Sequence, residues 1–207
     1  MVADLATLNT LQDYNLLVKE NLSNLDVGYL ALNAGIGSGG KFFADTEDEL
    51  VESVMNINGL HVVYMAKAML TIMLAREKRS AIIITSSVMS YIGLAASSTY
   101  AATKAMERLF GEALHYELKP KIDVITFTPG YVDTKLLNRE KASGNSLPLL
   151  VTAEASVQAI HRDLGKFAVS AGDVKHKVML YFLNKLQPRE YLLQRMADGK
   201  RKAAKKS

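Results

Sequence analysis

Ala81-Ile-Ile-Ile-Thr-Ser-Ser-Val-Met-Ser-Tyr-Ile-Gly-Leu-Ala-Ala-Ser-Ser-Thr-Tyr-Ala-Ala-Thr-Lys104 begins as one kind of structure and ends as another. Its first five residues, Ala81 to Thr85, are almost continuously apolar and β-branched, the pattern of a strand covered on both faces. The run stops in Thr85-Ser86-Ser87, which puts hydroxyls at a strand's carboxyl end. Thirteen residues after Ser87 stands Tyr100, and Lys104 follows four positions later. On a helix those two share a face, about 5–6 Å apart. The stretch therefore reads as a buried strand, a connecting loop and a helix that carries a phenol above an ammonium.

Two further β-rich runs flank it, Val27-Gly-Tyr-Leu-Ala-Leu32 and Ile122-Asp-Val-Ile-Thr-Phe127. Between the first and second, Thr46-Glu-Asp-Glu49 has the form of a capping box, with Thr46 as cap and Glu49 reaching back. Apolar residues then recur at helical spacing through Leu50, Val54, Ile57, Met65, Met69 and Leu74. A second helix is expected from about Tyr100 to Leu118, ending before Pro120. Strands alternating with helices predict an α/β fold with a parallel sheet and helices on both faces. In such sheets ligands gather at the carboxyl ends of the strands.

A chain of 207 residues, 49% hydrophobic, has the material for a single domain with a real core, and residues 1–207 are read as one. With no cysteine, disulfides, zinc–thiolate sites and a thiol nucleophile are excluded. The net charge of +4 owes much to Lys200-Arg-Lys-Ala-Ala-Lys-Lys-Ser207, a tail expected to stay solvated or to touch a membrane surface, with no nucleic-acid partner expected. No stretch approaches the roughly 18 apolar residues that span a bilayer, and the N-terminus lacks the form of a signal peptide. These features predict a soluble or peripheral protein.

Asn33-Ala-Gly-Ile-Gly-Ser-Gly-Gly-Lys41 imitates two nucleotide-binding motifs. Gly35, Gly37 and Gly40 fit G-x-G-x-x-G, while Gly35, Gly40 and Lys41 almost complete a phosphate loop. Both motifs work only where a helix begins at once and turns its amino end to the phosphate. Here the expected cap is five residues beyond Lys41, and Phe42 stands where a magnesium-binding hydroxyl belongs. The loop is therefore read as a strand-to-helix turn whose backbone passes close to something. No Gly-x-Ser-x-Gly elbow is present, and His61, His115, His161 and His176 lack metal-ligand spacing, so no metal site is expected. All four histidines are read as packed or surface residues.

A free phenol has a pKa near 10, and a neighbouring ammonium favours its ionised form, so Tyr100 and Lys104 make a plausible proton-transfer pair. The pair has company. Ser87 ends the central strand, Asn58 and Gly59 sit unfavourably within a long helix, and Thr128-Pro-Gly-Tyr-Val-Asp-Thr134 ends the third strand with a turn at Pro129 and Gly130.

This ordered set, Asn33-Ala-Gly35, Asn58, Ser87, Tyr100, Lys104 and Pro129-Gly130 followed by Thr134, resembles the short-chain dehydrogenase/reductase family over nearly the whole chain. The resemblance implies a Rossmann-like doubly wound sheet and a nicotinamide cofactor, NADP(H) or NAD(H). It makes Tyr100 the general acid in carbonyl reduction and Lys104 the residue that lowers the phenol pKa and holds the ribose. Ser87 would hydrogen-bond the carbonyl oxygen, and Asn58 would position a water in a proton relay. Asp4 and Leu5 fall where the family contacts adenine, Asn33, Ala34 and Gly35 near the adenosine ribose, and Val132 and Thr134 near the nicotinamide amide. Residues 135–207 would supply a substrate loop, from Lys135 to Val151, and a basic C-terminal region.

Within the family, Leu25-Asp-Val-Gly-Tyr-Leu-Ala-Leu-Asn-Ala-Gly35 and the basic end look like the microsomal 17-beta-hydroxysteroid dehydrogenase and very-long-chain 3-oxoacyl-CoA reductase branch. That likeness implies a lipid-like carbonyl substrate and a place at the endoplasmic reticulum membrane, with the cytoplasm as the alternative, and the family likeness implies a homodimer. The family's opening strand and Thr-Gly-x-x-x-Gly-x-Gly turn have no counterpart here, so the sheet is expected to be partial, with N-terminal strands missing and the strand at Val27–Leu32 open along one edge. Leu32 also replaces the first of the family's paired asparagines. Two functions remain open: an oxidoreductase, or a non-catalytic scaffold that keeps the family shape.

Overall fold

The computed structural model describes residues 2–137, 147, 149–185 and 189–204. Three strands lie where the apolar runs place them: β1, Tyr29–Leu32; β2, Ser80–Thr85; β3, Ile122–Phe127. With β6, Val169–Ser170, they form a parallel sheet in the order β1-β2-β3-β6. Two short strands, β4 (Val132–Asp133) and β5 (Val151–Thr152), pair separately. The helices are α1 (Leu11–Asn21), α2 (Asp48–Val54), α3 (His61–Ala75), α4 (Ser98–Glu117), α5 (Ala153–Asp163), α6 (Val174–Lys185) and α7 (Arg189–Ala204).

β2 carries apolar residues on both faces because both faces are covered. Ile82 and Ile84 join Ile122 and Val124 under α1, α3 and α4, with Tyr14, Val18, Val62, Met69 and Leu114 closing that side. Ile83, Ile125 and Phe127 point the other way, onto Ile160 and Leu164 around α5. Each fully buried aliphatic side chain of this kind contributes roughly 1.5–3 kcal/mol. At the edge, Tyr29 of β1 is 44% exposed, and its hydroxyl meets His161 Nε2 of α5 at 3.0 Å. Gly111 lets α4 lie close on the sheet, since a Cβ there would stand 2.1 Å from Thr126 Oγ1.

Two expectations need correction. Thr46 does not cap α2: its hydroxyl donates to the Phe42 carbonyl at 2.9 Å, at the end of a 3-10 turn over Phe43–Asp45, and the helix starts beyond it at Asp48. The capping box belongs to α1, where Thr10 Oγ1 accepts from Asp13 N and Asp13 Oδ2 accepts from Thr10 N. Finally, Asp48–Ala75 runs as one helical rod with an 18-residue window of mean hydropathy 1.4, long and apolar enough to cross a membrane. In this fold Val54, Val62, Ala66, Ala68, Met69 and Met73 of that rod are buried, most of them against the sheet.

Candidate active site

Because the strands are parallel, Asn33, Ser86 and Thr128 leave the sheet at one edge. The glycine-rich segment after β1 does not lead straight into a helix. Gly39 and Gly40 turn the chain at φ values of 78° and 76°, and the next element is the 3-10 turn at Phe43. Lys41 spends its charge on exposed Glu47. Neither phosphate motif is built, as the spacing anticipates.

What the segment does instead is approach the interior. Asn58 sits on a π turn, Met55–Leu60, that joins α2 to α3, and its side chain is wholly buried. Its Oδ1 accepts from Ile36 N at 2.8 Å, and its Nδ2 donates to Ile36 O at 2.9 Å. The amide thus clamps the loop with both its atoms. The wider π register accommodates Asn58 and Gly59 where an α-helix penalises them. At Gly35 an added Cβ would lie 3.4 Å from Asn58 Oδ1 and 3.4 Å from Lys104 Nζ.

Lys104 is 4% exposed. An ammonium has three donors; here one is given to Thr85 O at 2.9 Å and one to Glu107 Oε1 at 2.9 Å. Its Nζ also stands 5.6 Å from the centre of the Tyr100 ring, which is half-buried. The pair is therefore formed as the helical spacing requires, one turn apart on the inner face of α4.

Hydroxyls at the end of β2 tie this helix to the sheet. Ser86 Oγ donates to Lys104 O at 2.7 Å. Ser87 is buried, and its Oγ accepts from Met89 N at 3.2 Å, starting a 3-10 turn over Val88–Tyr91. Val88 N donates to Pro129 O at 2.9 Å, tying the segment after Ser87 to the Pro129–Gly130 turn. That turn is braced from beneath. His176, fully buried, engages Tyr131 O through Nε2 at 3.2 Å, and burial holds its pKa below the ordinary histidine value. A Cβ at Gly130 would come within 2.8 Å of the same ring.

Tertiary structure thus brings Gly35, Asn58, Tyr100 and Lys104 together, while Ser87 stands between Ser86, bonded to Lys104 O, and Val88, bonded to Pro129 O. Val132 and Thr134 lie on or beside the separate β4–β5 ladder, Thr134 exposed. Asp4 and Leu5 occupy an N-terminal turn, where exposed Asp4 accepts from Ala6 N at 3.0 Å and Leu5 packs on the core. Asn33 is exposed and Ala34 half-buried beside Gly35. Of the expected substrate loop, residues 138–146 and 148 lie outside the described residues, as do 205–207 of the basic tail. His61 and His115 are packed residues, the first pushed down to about 4 by burial, the second bonded to Val124 O at 2.7 Å.

Two residues of this region escape a motif reading. Ser86 stands next to the expected serine, and Glu107 faces Lys104 from one turn further along α4. The signal for Glu107 is the spacing itself: Tyr100, Lys104, Glu107 and Gly111 fall on one helical stripe. Glu107 is 1% exposed, and burial pushes its carboxyl up to about 7 despite the Lys104 charge and hydrogen bond.

The short chain dehydrogenase family profile matches residues 1–144. Over 187 residues the chain is 29% identical to the very-long-chain 3-oxoacyl-CoA reductase of Macaca fascicularis, spanning 88% of this chain and 58% of that protein. It is 31% identical over 149 residues to the dehydrogenase/reductase SDR family member 7B of Xenopus tropicalis, spanning 68% of this chain and 48% of that one. The chain thus covers about half the length of the curated relatives it matches. Among solved structures, one of a study of 7beta-hydroxysteroid dehydrogenase stereoselectivity superposes with a TM-score of 0.78 at 23% identity, over 94% of this chain and 74% of that chain. A short chain dehydrogenase of Shigella flexneri complexed with NADP gives 0.69 at 20% identity, over 82% and 72%. The profile match over residues 1–144 and the parallel sheet held in common lead to one conclusion: this chain belongs to the short-chain dehydrogenase family of oxidoreductases.

Proposed function

We propose that this chain carries the proton-transfer and carbonyl-binding part of an oxidoreductase that interconverts a carbonyl and a secondary alcohol on a lipid-like substrate, a 3-oxoacyl-CoA or a steroid. The observation that supports it most is the seat of Lys104. A buried ammonium is held by Thr85 O beside the Tyr100 ring and close to the loop backbone at Gly35, where an added Cβ would stand 3.4 Å from it. The names of the relatives, a 3-oxoacyl-CoA reductase and hydroxysteroid dehydrogenases, support the substrate class.

In this reading NADP(H) or NAD(H), when bound, supplies or takes the hydride at the carbonyl carbon. Lys104 directs its third donor to the nicotinamide ribose, Gly35, Asn33 and Ala34 line the adenosine side, and Asp4 and Leu5 meet the adenine. Pro129, Gly130, Val132 and Thr134 border the nicotinamide amide. Tyr100 gives its phenolic proton to the developing alkoxide, and its own negative charge is stabilised by the ammonium below it. Ser87 donates to the same oxygen as charge grows there. Asn58, its side chain committed to Ile36, acts through the π turn, whose backbone positions a water for proton return. A homodimer and association with the endoplasmic reticulum membrane belong to the same reading, by likeness to the microsomal branch.

The competing reading is a scaffold that keeps the fold without turnover. What favours it is that, among the described residues, the glycine segment after β1 builds no helix-borne phosphate cradle. Titration of the protein with NADPH and NADH, followed by carbonyl reduction with 3-oxoacyl-CoA and ketosteroid panels, separates the two. Reduction that vanishes in Tyr100→Phe with unchanged circular dichroism supports the enzyme. Turnover retained in that variant removes Tyr100 from its role, and no cofactor binding at millimolar concentration favours the scaffold.

A further inference from the structure

Glu107 is a buried carboxyl group that the scheme above does not use. Its Oε1 is 2.9 Å from Lys104 Nζ, and both side chains are almost wholly shielded from water. Its Oε2 is buried with no hydrogen-bond partner among the described residues. A carboxylate left with one oxygen bare inside a protein is costly, and it gains little except through its charge. That charge has one recipient.

We propose that Glu107 is a positioning residue for the Tyr100–Lys104 pair: its carboxylate fixes where the ammonium stands and how much of that positive charge reaches the phenol. The proposal rests on the reading of Tyr100 and Lys104 given above. Ionised, Glu107 draws the ammonium along α4 and offsets its charge, so the phenol keeps its proton more firmly. Protonated, it leaves the ammonium uncompensated beneath the Tyr100 ring, and the phenolate gains. The group thus grades the acidity of Tyr100 through a residue that touches neither substrate nor cofactor.

Among the described residues, Lys104 is the charged group that acts on Glu107, and burial sets the remainder of its behaviour. β2 presents the Thr85 carbonyl to this cluster, and β3 contributes the buried hydroxyls of Thr126 and Thr128. Asp123 of β3 is paired with Arg79, and Ser170 of β6 is spent on Asp163. On α4 itself, Arg108 lies over the Tyr91 ring and pairs with Glu112, while His115 is bonded to Val124 O. From the rod beside α4, Asp48, Glu49 and Glu52 face solvent, and His61 packs on Tyr14.

The test is the ionisation of the Tyr100 phenol in the cofactor-free protein, read as phenolate absorbance. The chain has nine tyrosines, so the Tyr100 component is the difference between a protein and its Tyr100→Phe counterpart. In Glu107→Gln the Tyr100 transition should move down by about one pH unit, the size expected of one charge removed at this range in a protein interior. Lys104→Met should move it up. A transition unmoved in Glu107→Gln but raised in Lys104→Met overturns the role of Glu107 and leaves the Tyr–Lys pair standing. A transition unmoved in both overturns the pair as well. Should Glu107→Gln fail to fold, the wild-type protein with 13C at the tyrosine Cζ gives the second measurement. The Tyr100 resonance should show an inflection below the phenol's own transition, above the ordinary carboxylate range because burial raises Glu107, and a line flat at every pH below the phenol transition overturns the proposal.

Discussion

Among the described residues, two carboxylates, Asp163 and Glu107, are buried beside lysines, and they have opposite characters. Asp163, at the end of α5, is pushed up by burial, yet Lys177 and Ser170 outweigh that and hold it below the ordinary carboxylate range. Ser170 Oγ donates to its Oδ2 at 2.5 Å, Lys177 Nζ stands at 2.8 Å, and the same serine oxygen accepts from Gly172 N. Glu107 has a single partner and a bare oxygen, and it is pushed up to about 7. The lesson is that a nearby lysine does not decide the state of a buried acid. The number of donors that meet its oxygens does. A carboxylate met by two donors is a stitch between elements. One that is half met is sensitive to its surroundings.

The largest effect should separate the two lysines. Lys104→Met should lower carbonyl reduction by about 100-fold or more, the loss typical of a proton-transfer device. Lys177→Met, on the far side of β6, should leave turnover within about twofold. Comparable losses in steady-state assays would erase the distinction.

Stability should sort the two acids the other way. Asp163→Asn turns a met carboxylate into an amide facing a lysine, and urea unfolding should show a loss of about 2 kcal/mol. Glu107→Gln removes a carboxylate that burial already disfavours but strands the buried Lys104 ammonium, so the two effects offset in part and the loss should be the smaller, about 1 kcal/mol. Equal losses would mean that Glu107 is a stitch too.

The smallest effect is in pH dependence. Glu107 has a folded value raised to about 7. Between its unfolded value, roughly 4.3, and 7 the folded chain holds a proton that the unfolded chain has lost, so this group makes stability fall as pH rises. His61, lowered to about 4 by burial, acts oppositely: below its unfolded value the unfolded chain takes up the proton, so stability rises with pH from 4 to about 6.5. The two offset each other in wild type. Glu107→Gln should unmask the rise, at most about 1.4 kcal/mol per pH unit. Asp163, lowered, should contribute only above its unfolded value and lose that contribution on acidification. Parallel wild-type and variant curves from pH 4.5 to 6.5 would contradict the Glu107 environment.

Local signals carried the fold a long way. The isoleucines of β2 read as a doubly covered strand because each face of a central strand must be apolar, whatever covers it. The helix carrying Tyr100 and Lys104 is legible from spacing alone, and observed Ser98–Glu117 lies within two residues of the expectation. The cap at Thr46 misleads because a threonine followed three residues later by glutamate states only a local preference. The Phe42 carbonyl, brought close by the 3-10 turn, takes the hydroxyl first. The helix at Leu11–Asn21 goes unread although Thr10 and Asp13 form the box that Thr46 does not.

Sequence alone determines which residues can act: spacing on a helix and position at a strand end follow from covalent order and the period of each element. It also excludes thiol chemistry, because there is no cysteine, and speaks against a phosphate loop at residues 35–41, because no helix signal follows at once. Only the tertiary structure decides what those residues meet. That Asn58 spends its amide on Ile36, that His176 braces the turn at Gly130, and that Glu107 keeps one oxygen bare are contacts between segments far apart in the chain or atoms aimed into its interior. They depend on how α4, the π turn and the sheet are packed, and burial, which sets the charge state of Glu107, exists only once that packing is complete.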